Sequence, residues 1–294
     1  MNLKNVCKNF LLQENLENQK LLLMVSGGVD SVVLAEIIRQ IHNPQLLHIF
    51  HLDHGFRDTS KDDADFVQQY AEKNNISCTI KKLKSTPDKN IEANWRKERQ
   101  QLSQACADTH GCDRILTAHH ATDLVETMIF RITKGCGPQG LSPFDLSTKP
   151  FASAPKSDIL EYAKKQNLSW REDTTNQDTT FQRNRIRQEV LPVLRSINPN
   201  LEKTFWNEQE LFRSLAEFSE QETDRLTTQK QMPLEDFLTL PPYLQQSLIH
   251  ALGAGSAKEV QDCLQWLNHN PEGGTEKNIG GNVLRLKKGV LEWK

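Results

Sequence analysis

The residues best suited to chemistry near the start of the chain form the sequence SGGVDS, which consists of Ser26, Gly27, Gly28, Val29, Asp30 and Ser31. The two glycines let backbone amides approach phosphate oxygens closely, and the positive end of a following helix adds to the attraction. The Ser26 and Ser31 hydroxyls can donate to phosphate, and Asp30 is suited to hold Mg²⁺. The segment lacks the Gly-Lys pair of a Walker A loop. It predicts a nucleotide-phosphate site of another kind, and a plain capped strand–helix turn is the alternative.

A second polar segment, residues 51–57 with the sequence HLDHGFR, follows the next apolar run. Its Asp53 and His54 are expected at the carboxyl end of a strand beside the phosphate segment. As a group, these residues predict a site. Either one alone is equally well explained as a loop cap or a solvated side chain.

Residues 92–99, with the sequence EANWRKER, carry two arginines that are three positions apart. On a helix, Arg96 and Arg99 share one face and are suited to clamp phosphates or to pair with acidic site residues. The alternative is a solvated helix in which Glu92 pairs with Arg96.

Residues 117–127, with the sequence TAHHATDLVET, are the most informative helix candidate. At 100° per residue, one stripe contains His119, Asp123, Glu126 and Thr127, and the opposite stripe contains Val125, Met128, Ile129 and Ile132. The pattern predicts one core face and one face that presents an imidazole and two carboxylates. Periodicity alone establishes only amphipathicity, so the functional interpretation rests on the residue types and on their position after a strand.

Short apolar runs alternate with longer amphipathic ones in the first half of the chain. Strands are predicted over 21–25, 46–52, 77–83 and 114–118, and helices over 31–41, 60–74, 91–110 and 121–134. This alternation predicts an α/β fold with a parallel sheet of the five-stranded type and helices on both faces. Ligands of such sheets bind at the carboxyl ends of the strands, where the polar segments lie.

The pattern changes after residue 135. Residues 135–157 are rich in Gly, Pro and Ser and predict a long surface loop. Helices are predicted over 158–167, 183–194, 201–226, 241–252 and 258–268, and a hairpin over 280–293. We therefore predict a catalytic domain over 1–200, a helical linker over 201–232 and a small C-terminal α/β domain over 233–294.

Composition limits the classes of protein. The chain has 294 residues, 25% of them charged, a net charge of −2 and no apolar run long enough to cross a bilayer, so a cytoplasmic protein is expected. Six cysteines are scattered without a CxxC pair, and we expect neither a disulfide framework nor a structural zinc or iron–sulfur site. The net charge mildly disfavours a nucleic-acid binder, although a local basic patch would suffice.

Taken in order, these motifs resemble a known family. SGGVDS matches the SGGxDS signature of the PP-loop ATP pyrophosphatases. The additional segments HLDHGFR, EANWRKER and AHHATDLVET resemble the tRNA(Ile)-lysidine synthetases. GCGPQGL at 135–141 and REDTTN with RNRIR at 171–187 continue the resemblance. The chain departs from the family pattern at Trp95, at Gln100, at Lys149 in place of an arginine, and in EDTTN, which lacks a proline.

The resemblance implies a reaction and a set of roles. In the family, O2 of a tRNA cytosine attacks the α-phosphate of ATP, pyrophosphate leaves, and a lysine amine then displaces AMP at C2. By resemblance the catalytic residues are Asp30, Asp53, Arg96, His119, Asp123 and Glu126, with Asp123 and Glu126 receiving lysine, Asp30 holding Mg²⁺, and Arg183, Arg185 and Arg187 contacting tRNA. His119 is a candidate base for the amine. ATP, Mg²⁺, L-lysine and tRNA(Ile) are the implied ligands, a homodimer is open, and the C-terminal domain is expected to bind tRNA.

Three other interpretations remain open. A tRNA thiolase of the same class generally needs paired cysteines, and none are spaced for that role. A silent RNA-binding module needs neither SGGVDS nor the carboxylates Asp123 and Glu126. A small-molecule amidotransferase is disfavoured by the basic RNRIR segment.

Overall fold

The computed structural model describes residues 2–53, 60–83, 91–172, 182–269 and 273–293, and the side chains of 91–93 and 273 are also outside the description. The chain divides into two units, Met1–Gln209 and Glu210–Lys294. The division falls inside the segment predicted as a helical linker. Within the described ranges, no helix has both the length and the apolar composition needed to span a bilayer.

The first unit contains a parallel sheet in the order β3-β2-β1-β4. Its strands are β1 (Leu21–Met24), β2 (Leu47–Asp53), β3 (Ser77–Lys82) and β4 (Arg114–Leu116). The two central strands are buried on both faces, which agrees with the continuous apolar sequence of β1 and the mostly apolar sequence of β2, in which His48 and His51 are also buried. The predicted parallel α/β fold is confirmed, with four strands in the described part of the chain where a five-stranded type was expected.

Helices connect these strands and cover the sheet: α1 (Leu3–Gln13), α2 (Val29–Ile41), α3 (Ser60–Lys73), α4 (Ile91–His110) and α5 (Ala121–Lys134). All except α1 were predicted from the sequence. α2 is almost entirely buried because α1 also packs against it. In α5, Val125 and Met128 are buried as predicted, whereas Ile132 is exposed and Glu126 is buried.

The prediction of a surface loop over 135–157 is wrong for its second half. After the short helix α6 (Pro138–Leu141), the chain returns to the sheet, where Phe151 and Ala154 are fully buried. The Thr117 amide donates to the Thr148 carbonyl and the Ala121 amide donates to the Ala154 carbonyl. The segment therefore packs beside β4, and its small residues permit this close approach. It leads into α7 (Lys156–Lys165).

This packing makes Phe151 a test of the fold. Phe151→Ala is expected to lower the free energy of unfolding of the first unit by about 3–5 kcal/mol, because it leaves a cavity in the core. Urea unfolding followed by tryptophan fluorescence measures the change. Leu12→Ala removes a largely exposed side chain of α1 and should cost at most about 1 kcal/mol. Equal losses in the two variants would contradict the buried position of Phe151.

Helices close the first unit against α5. They are α8 (Gln182–Arg185), a π-helical turn over Ile186–Val190, α9 (Leu191–Ile197) and the start of α10 (Leu201–Thr228). Ile186, Leu191 and Leu201 form a small core with Val125 of α5. The π-helical turn is the irregular element of this region and carries Arg187.

The second unit combines helices with an antiparallel sheet. After β5 (Gln231–Pro233) come α11 (Leu234–Thr239), α12 (Pro242–Ala251) and α13 (Ala257–His269), then β6 (Gly273–Ile279), β7 (Asn282–Lys287) and β8 (Val290–Trp293). Its strands lie in the order β5-β8-β7-β6. β7 and β8 pair antiparallel and confirm the predicted hairpin. Phe237 and Leu248 are central in its apolar core.

Candidate active site

The SGGVDS segment forms the turn between β1 and α2. The Ser31 hydroxyl donates to the Gly28 carbonyl over 2.8 Å and accepts the Ser26 amide proton over 3.1 Å. Gly27 has a φ of +90°, which favours glycine, and Gly28 is the N-cap of the 13-residue helix α2. The backbone of this loop is therefore fixed in place, with the positive end of α2 behind it.

The loop opens into a cleft of about 1550 Å³ at the carboxyl ends of β1, β2 and β4. Polar groups from separate parts of the first unit line it: Ser26, Asp30, Ser31, Arg99, Thr117, His119, His120, Asp123, Lys156 and Arg187. Parallel α/β sheets bind their ligands at this edge. The cleft is large enough for a nucleotide together with a second group.

Asp30 is held by a lysine that the sequence did not predict. The Lys156 ammonium, at the start of α7, lies 2.5 and 2.6 Å from the two Asp30 carboxylate oxygens. His120 approaches from the other side, with Nε2 at 3.7 Å from Asp30 Oδ1. A proline before a basic residue at a helix start was the available signal for Lys156. Its partner is 126 positions away in sequence, so this pairing was not visible.

The start of α5 is organised by a reciprocal cap. The Asp123 amide donates to His120 Nδ1 over 3.3 Å, and the His120 amide donates to the Asp123 carboxylate over 3.0 Å. Because Nδ1 accepts this bond, the ring proton of a neutral His120 is on Nε2, the nitrogen that faces Asp30. His119 precedes the helix, so its predicted place on the helical stripe is wrong. It nevertheless lines the same cleft.

The second carboxylate of α5 is bound by an arginine of the π-helical turn. Arg187 donates to the two oxygens of Glu126 over 2.6 and 2.9 Å, and its other contact is Asp123 at 3.6 Å. The hydrogen bonds to Glu126 raise the pKa of Arg187. Glu126 is 4% exposed, so the pair neutralises a carboxylate that has little access to water.

His119 has a strongly perturbed imidazole. Burial lowers its pKa to about 4, and the positive groups Lys149 and Arg99 act in the same direction, whereas Asp123 raises it. Its Nδ1 lies 2.9 Å from the Thr117 hydroxyl, and its ring contacts Phe144 edge-on. His119 is therefore neutral at physiological pH.

This shift predicts a pH-dependent stability. An unfolded histidine titrates near pH 6.5, so between about pH 6.5 and 4 the unfolded state binds more protons than the folded one. The His119 contribution is complete above this window and is lost as the pH falls through it. Urea unfolding across this range should show a steeper loss for the wild type than for His119→Asn. Equal slopes would contradict the shift. The charged groups that face this ring are Asp123, Lys149, Arg99 and His120.

Five cations gather beside the cleft: Arg96, Arg99, Arg131, Lys149 and Arg183. Burial is the largest cause that lowers the pKa of Arg99, and repulsion from Arg96 and Arg183 lowers it further. Arg131 is affected by the same two arginines. Such mutual repulsion is relieved when an anion binds, so the cluster is suited to phosphate groups.

Comparison with known proteins places the cleft in a family. The sequence profile of the PP-loop domain matches residues 2–194. A tRNA(Ile)-lysidine synthase from Synechococcus sp. is 32% identical over 261 residues, which cover 84% of this chain and 78% of the relative. The chain belongs to the tRNA(Ile)-lysidine synthetase family of PP-loop proteins.

Several members of the tRNA(Ile)-lysidine synthetase family are longer than this chain. The match to the tRNA(Ile)-lysidine synthase of Thermotoga maritima is 32% identical over 198 residues and covers 63% of this chain. The match to that of Lactiplantibacillus plantarum is 31% identical over 228 residues and covers 73%. Each covers 48% of the relative, so the chain spans about half the length of these two. A U34-tRNA thiolase structure from Methanococcus maripaludis, at 16% identity and a TM-score of 0.61, covers 72% of this chain and 78% of its own and shares the fold.

The structure brings some of the family motifs together and separates others. The SGGVDS loop, His119 and Asp123 share the cleft with Arg99. Asp53, the last residue of β2, and Arg96 are not among the cleft residues. Residues 54–57, with the predicted His54, and residues 173–176 lie outside the described part of the chain.

The three arginines predicted to contact tRNA have different surroundings. Arg183 is exposed with its guanidinium 6.0 Å from the Phe130 ring centre, close to the cation cluster. Arg185 is exposed and pairs with Glu189. Arg187 faces the acidic residues of α5. The three arginines of the RNRIR segment therefore lie in three different local environments.

Proposed function

We propose that the protein ligates lysine to C2 of the wobble cytidine, position 34, of a tRNA(Ile) with a CAU anticodon. ATP is consumed to AMP and pyrophosphate through an adenylated cytidine, and the lysidine product changes codon reading from AUG to AUA. The observation that carries this proposal is one cleft that contains both the phosphate loop and the Asp123 carboxylate of α5. Adenylation and amine transfer both need such a cleft, because the two steps act on the same base.

ATP is proposed to bind with its phosphates at the SGGVDS loop. The free amides at the start of α2 and the Ser26 hydroxyl face the cleft and can donate to phosphate oxygens. Asp30 would hold Mg²⁺ there, and the arrangement fits because Mg²⁺ commonly uses one or two protein carboxylates together with substrate phosphates. When bound, the ion would neutralise charge on the departing pyrophosphate. The Lys156 ammonium, which forms an ion pair with Asp30 in this structure, would then be available to bind a phosphate oxygen.

The lysine substrate is proposed to place its ammonium group at Asp123 and Glu126. These carboxylates already accept a cation, the Arg187 guanidinium, which supports the fit of another. Asp123 lines the cleft, whereas Glu126 lies behind it and is reached through Arg187. We therefore propose that Asp123 contacts lysine directly. Glu126 and Arg187 are proposed to position the Asp123 carboxylate and to set the charge around it.

The attacking amine must lose a proton, and His119 is the proposed acceptor. It is neutral at physiological pH and lies beside Asp123 in the same cleft. The cation cluster near Arg99 and Arg183 is proposed to hold tRNA phosphates. We further propose that the protein acts in the cytoplasm and that the second unit contributes to tRNA binding. A homodimer stays a prediction that sedimentation analysis tests.

The test is incorporation of radiolabelled lysine into an unmodified tRNA(Ile) transcript with a CAU anticodon. ATP-dependent labelling that disappears when cytidine 34 is replaced by uridine supports the proposal. Pyrophosphate release that is stimulated by tRNA without labelling would retain the ATP chemistry and reject lysine as the nucleophile. A lack of both signals with a folded protein would contradict the proposed activity.

A further inference from the structure

Outside the cleft, three side chains of metal-ligand type converge between α4 and the edge of the parallel sheet. His48 is on β2, and Cys106 and His110 are one helical turn apart on α4. The ligand atoms of all three lie within 4.8 Å of one another. His48 and Cys106 are buried, and His110, the last residue of α4, is partly exposed. The cluster has no part in the reaction proposed above.

The Thr79 hydroxyl of β3 lies where the three ligand atoms meet. Its oxygen is 2.9 Å from His48 Nε2 and 3.3 Å from His110 Nε2, and it also forms a hydrogen bond with the Cys106 sulfur. The two imidazole rings are stacked with their centres 3.9 Å apart. Three ligand atoms therefore surround one polar atom, the Thr79 hydroxyl oxygen.

The outer contact of His48 orients it as a ligand. The Ser77 hydroxyl donates to the Leu47 carbonyl over 3.3 Å and lies 2.8 Å from His48 Nδ1. With the hydroxyl proton on the Leu47 carbonyl, Nδ1 would be the donor to Ser77 and the lone pair of a neutral His48 would be on Nε2. Metal-binding histidines commonly have such an outer hydrogen bond.

We propose that His48, Cys106 and His110 bind one Zn²⁺ ion, with the Thr79 hydroxyl or a water molecule as the fourth ligand. Two imidazole nitrogens and one thiolate are a ligand set that zinc accepts, whereas Mg²⁺ prefers oxygen ligands. Tetrahedral zinc needs ligand atoms roughly 3.3–3.8 Å apart, as its bond lengths require. A change in the side-chain rotamer of His110, which is only partly buried, would supply this contraction. The thiol releases one proton to solvent when the ion binds.

The ion would tie α4 to β2 and β3. The same helix carries Arg96 and Arg99, so the zinc site would fix the helix that presents these cations. This proposal departs from the expectation that the chain has no structural zinc, which rested on the lack of a CxxC pair and did not weigh Cys106 with His110. These two residues are four positions apart on one helix face, and the third ligand comes from a distant strand.

Metal titration of the chelator-treated full chain tests the proposal. The wild type should bind one equivalent of Zn²⁺, and Co²⁺ in its place should give a thiolate-to-cobalt charge-transfer band. Cys106→Ser and His110→Ala should each weaken zinc binding by more than about 100-fold, because loss of outer hydrogen-bond partners alone costs 10–100-fold. Cys136→Ser, which removes an exposed thiol, is the matched control and should bind like the wild type.

X-ray absorption of the zinc-loaded wild type gives an answer that does not depend on how the variants fold. One sulfur at about 2.3 Å and nitrogens at about 2.0 Å are expected around the ion. A shell without sulfur would overturn the proposal. Binding below one equivalent by the wild type, or full binding by folded Cys106→Ser, would overturn it equally. Lysine incorporation is a separate measurement, so failure of the proposed ligase activity would leave this result unaffected.

Discussion

Asp30→Asn is expected to lower tRNA-stimulated pyrophosphate release by on the order of 10³-fold, the scale of losing one electrostatic contact to a transition state. The change keeps the size of the side chain and removes the negative charge that Asp30 contributes to the phosphate loop. Pyrophosphate release from ATP, followed with a coupled phosphate assay, measures it. The loss should appear in the catalytic rate, because the amides of the loop remain available to bind ATP.

The fold should tolerate this substitution. Asp30 and Lys156 are each about one third exposed, so loss of their ion pair should cost about 1 kcal/mol or less. Asp65→Asn removes an exposed carboxylate of α3 and is the matched control. Pyrophosphate release at the wild-type rate in Asp30→Asn would remove the phosphate loop from the proposed mechanism. An equal loss in the control would point to a general charge effect.

Arg187→Met is expected to lower the free energy of unfolding by about 2–3 kcal/mol, because it leaves the buried carboxylate of Glu126 without its partner. The value is below that of a fully buried pair since Arg187 is itself partly exposed. Adding Glu126→Leu should restore much of the lost stability, because the double variant has no buried charge. Urea unfolding of the two single variants and the double variant measures the coupling between them.

The same variants separate stability from activity. The double variant should not incorporate lysine, because Asp123 would lose the charged side chains of Glu126 and Arg187 that position it. Pyrophosphate release should be affected less than lysine incorporation, because the phosphate loop is unchanged. Arg185→Met, two residues away, alters an exposed pair with Glu189 and should change the free energy of unfolding little. Recovery of both stability and lysine incorporation in the double variant would show that the pair is only structural.

The elements of the first unit could be predicted because each is defined locally. The strands appear as short runs of apolar residues, of which β1 and β2 are buried and β3 and β4 are partly exposed, and α2 to α5 appear as amphipathic segments between them. The buried path through Phe151 could not be predicted, because its glycines, prolines and serines resemble those of a surface loop. Its burial depends on contacts with the segment between β4 and α5, where the Thr117 and Ala121 amides donate to the Thr148 and Ala154 carbonyls.

The candidate site divides in the same way. The phosphate loop and Asp123 follow from motifs that are contiguous in sequence. Lys156 on Asp30 and Arg187 on Glu126 are pairings between distant segments, which a single sequence does not report. His120 was hidden for another reason. The helix begins at Ala121 as predicted, but the stripe that includes His119 extends two residues before that start and so leaves no capping role for His120.

The π-helical turn over Ile186–Val190 has a consequence for the length of the chain. Its wider winding lets Ile186 and Leu191, five positions apart, face one core, whereas in a regular α-helix residues four apart do so. The turn thus contains one residue more than ordinary winding requires. Deleting Glu189 would return the segment to α-helical winding and leave both apolar side chains on the same side. In a regular α-helix, such a deletion would rotate the residues that follow it by about 100° relative to those before it. In the π-helical turn, the deletion would instead remove the one residue that exceeds regular α-helical winding.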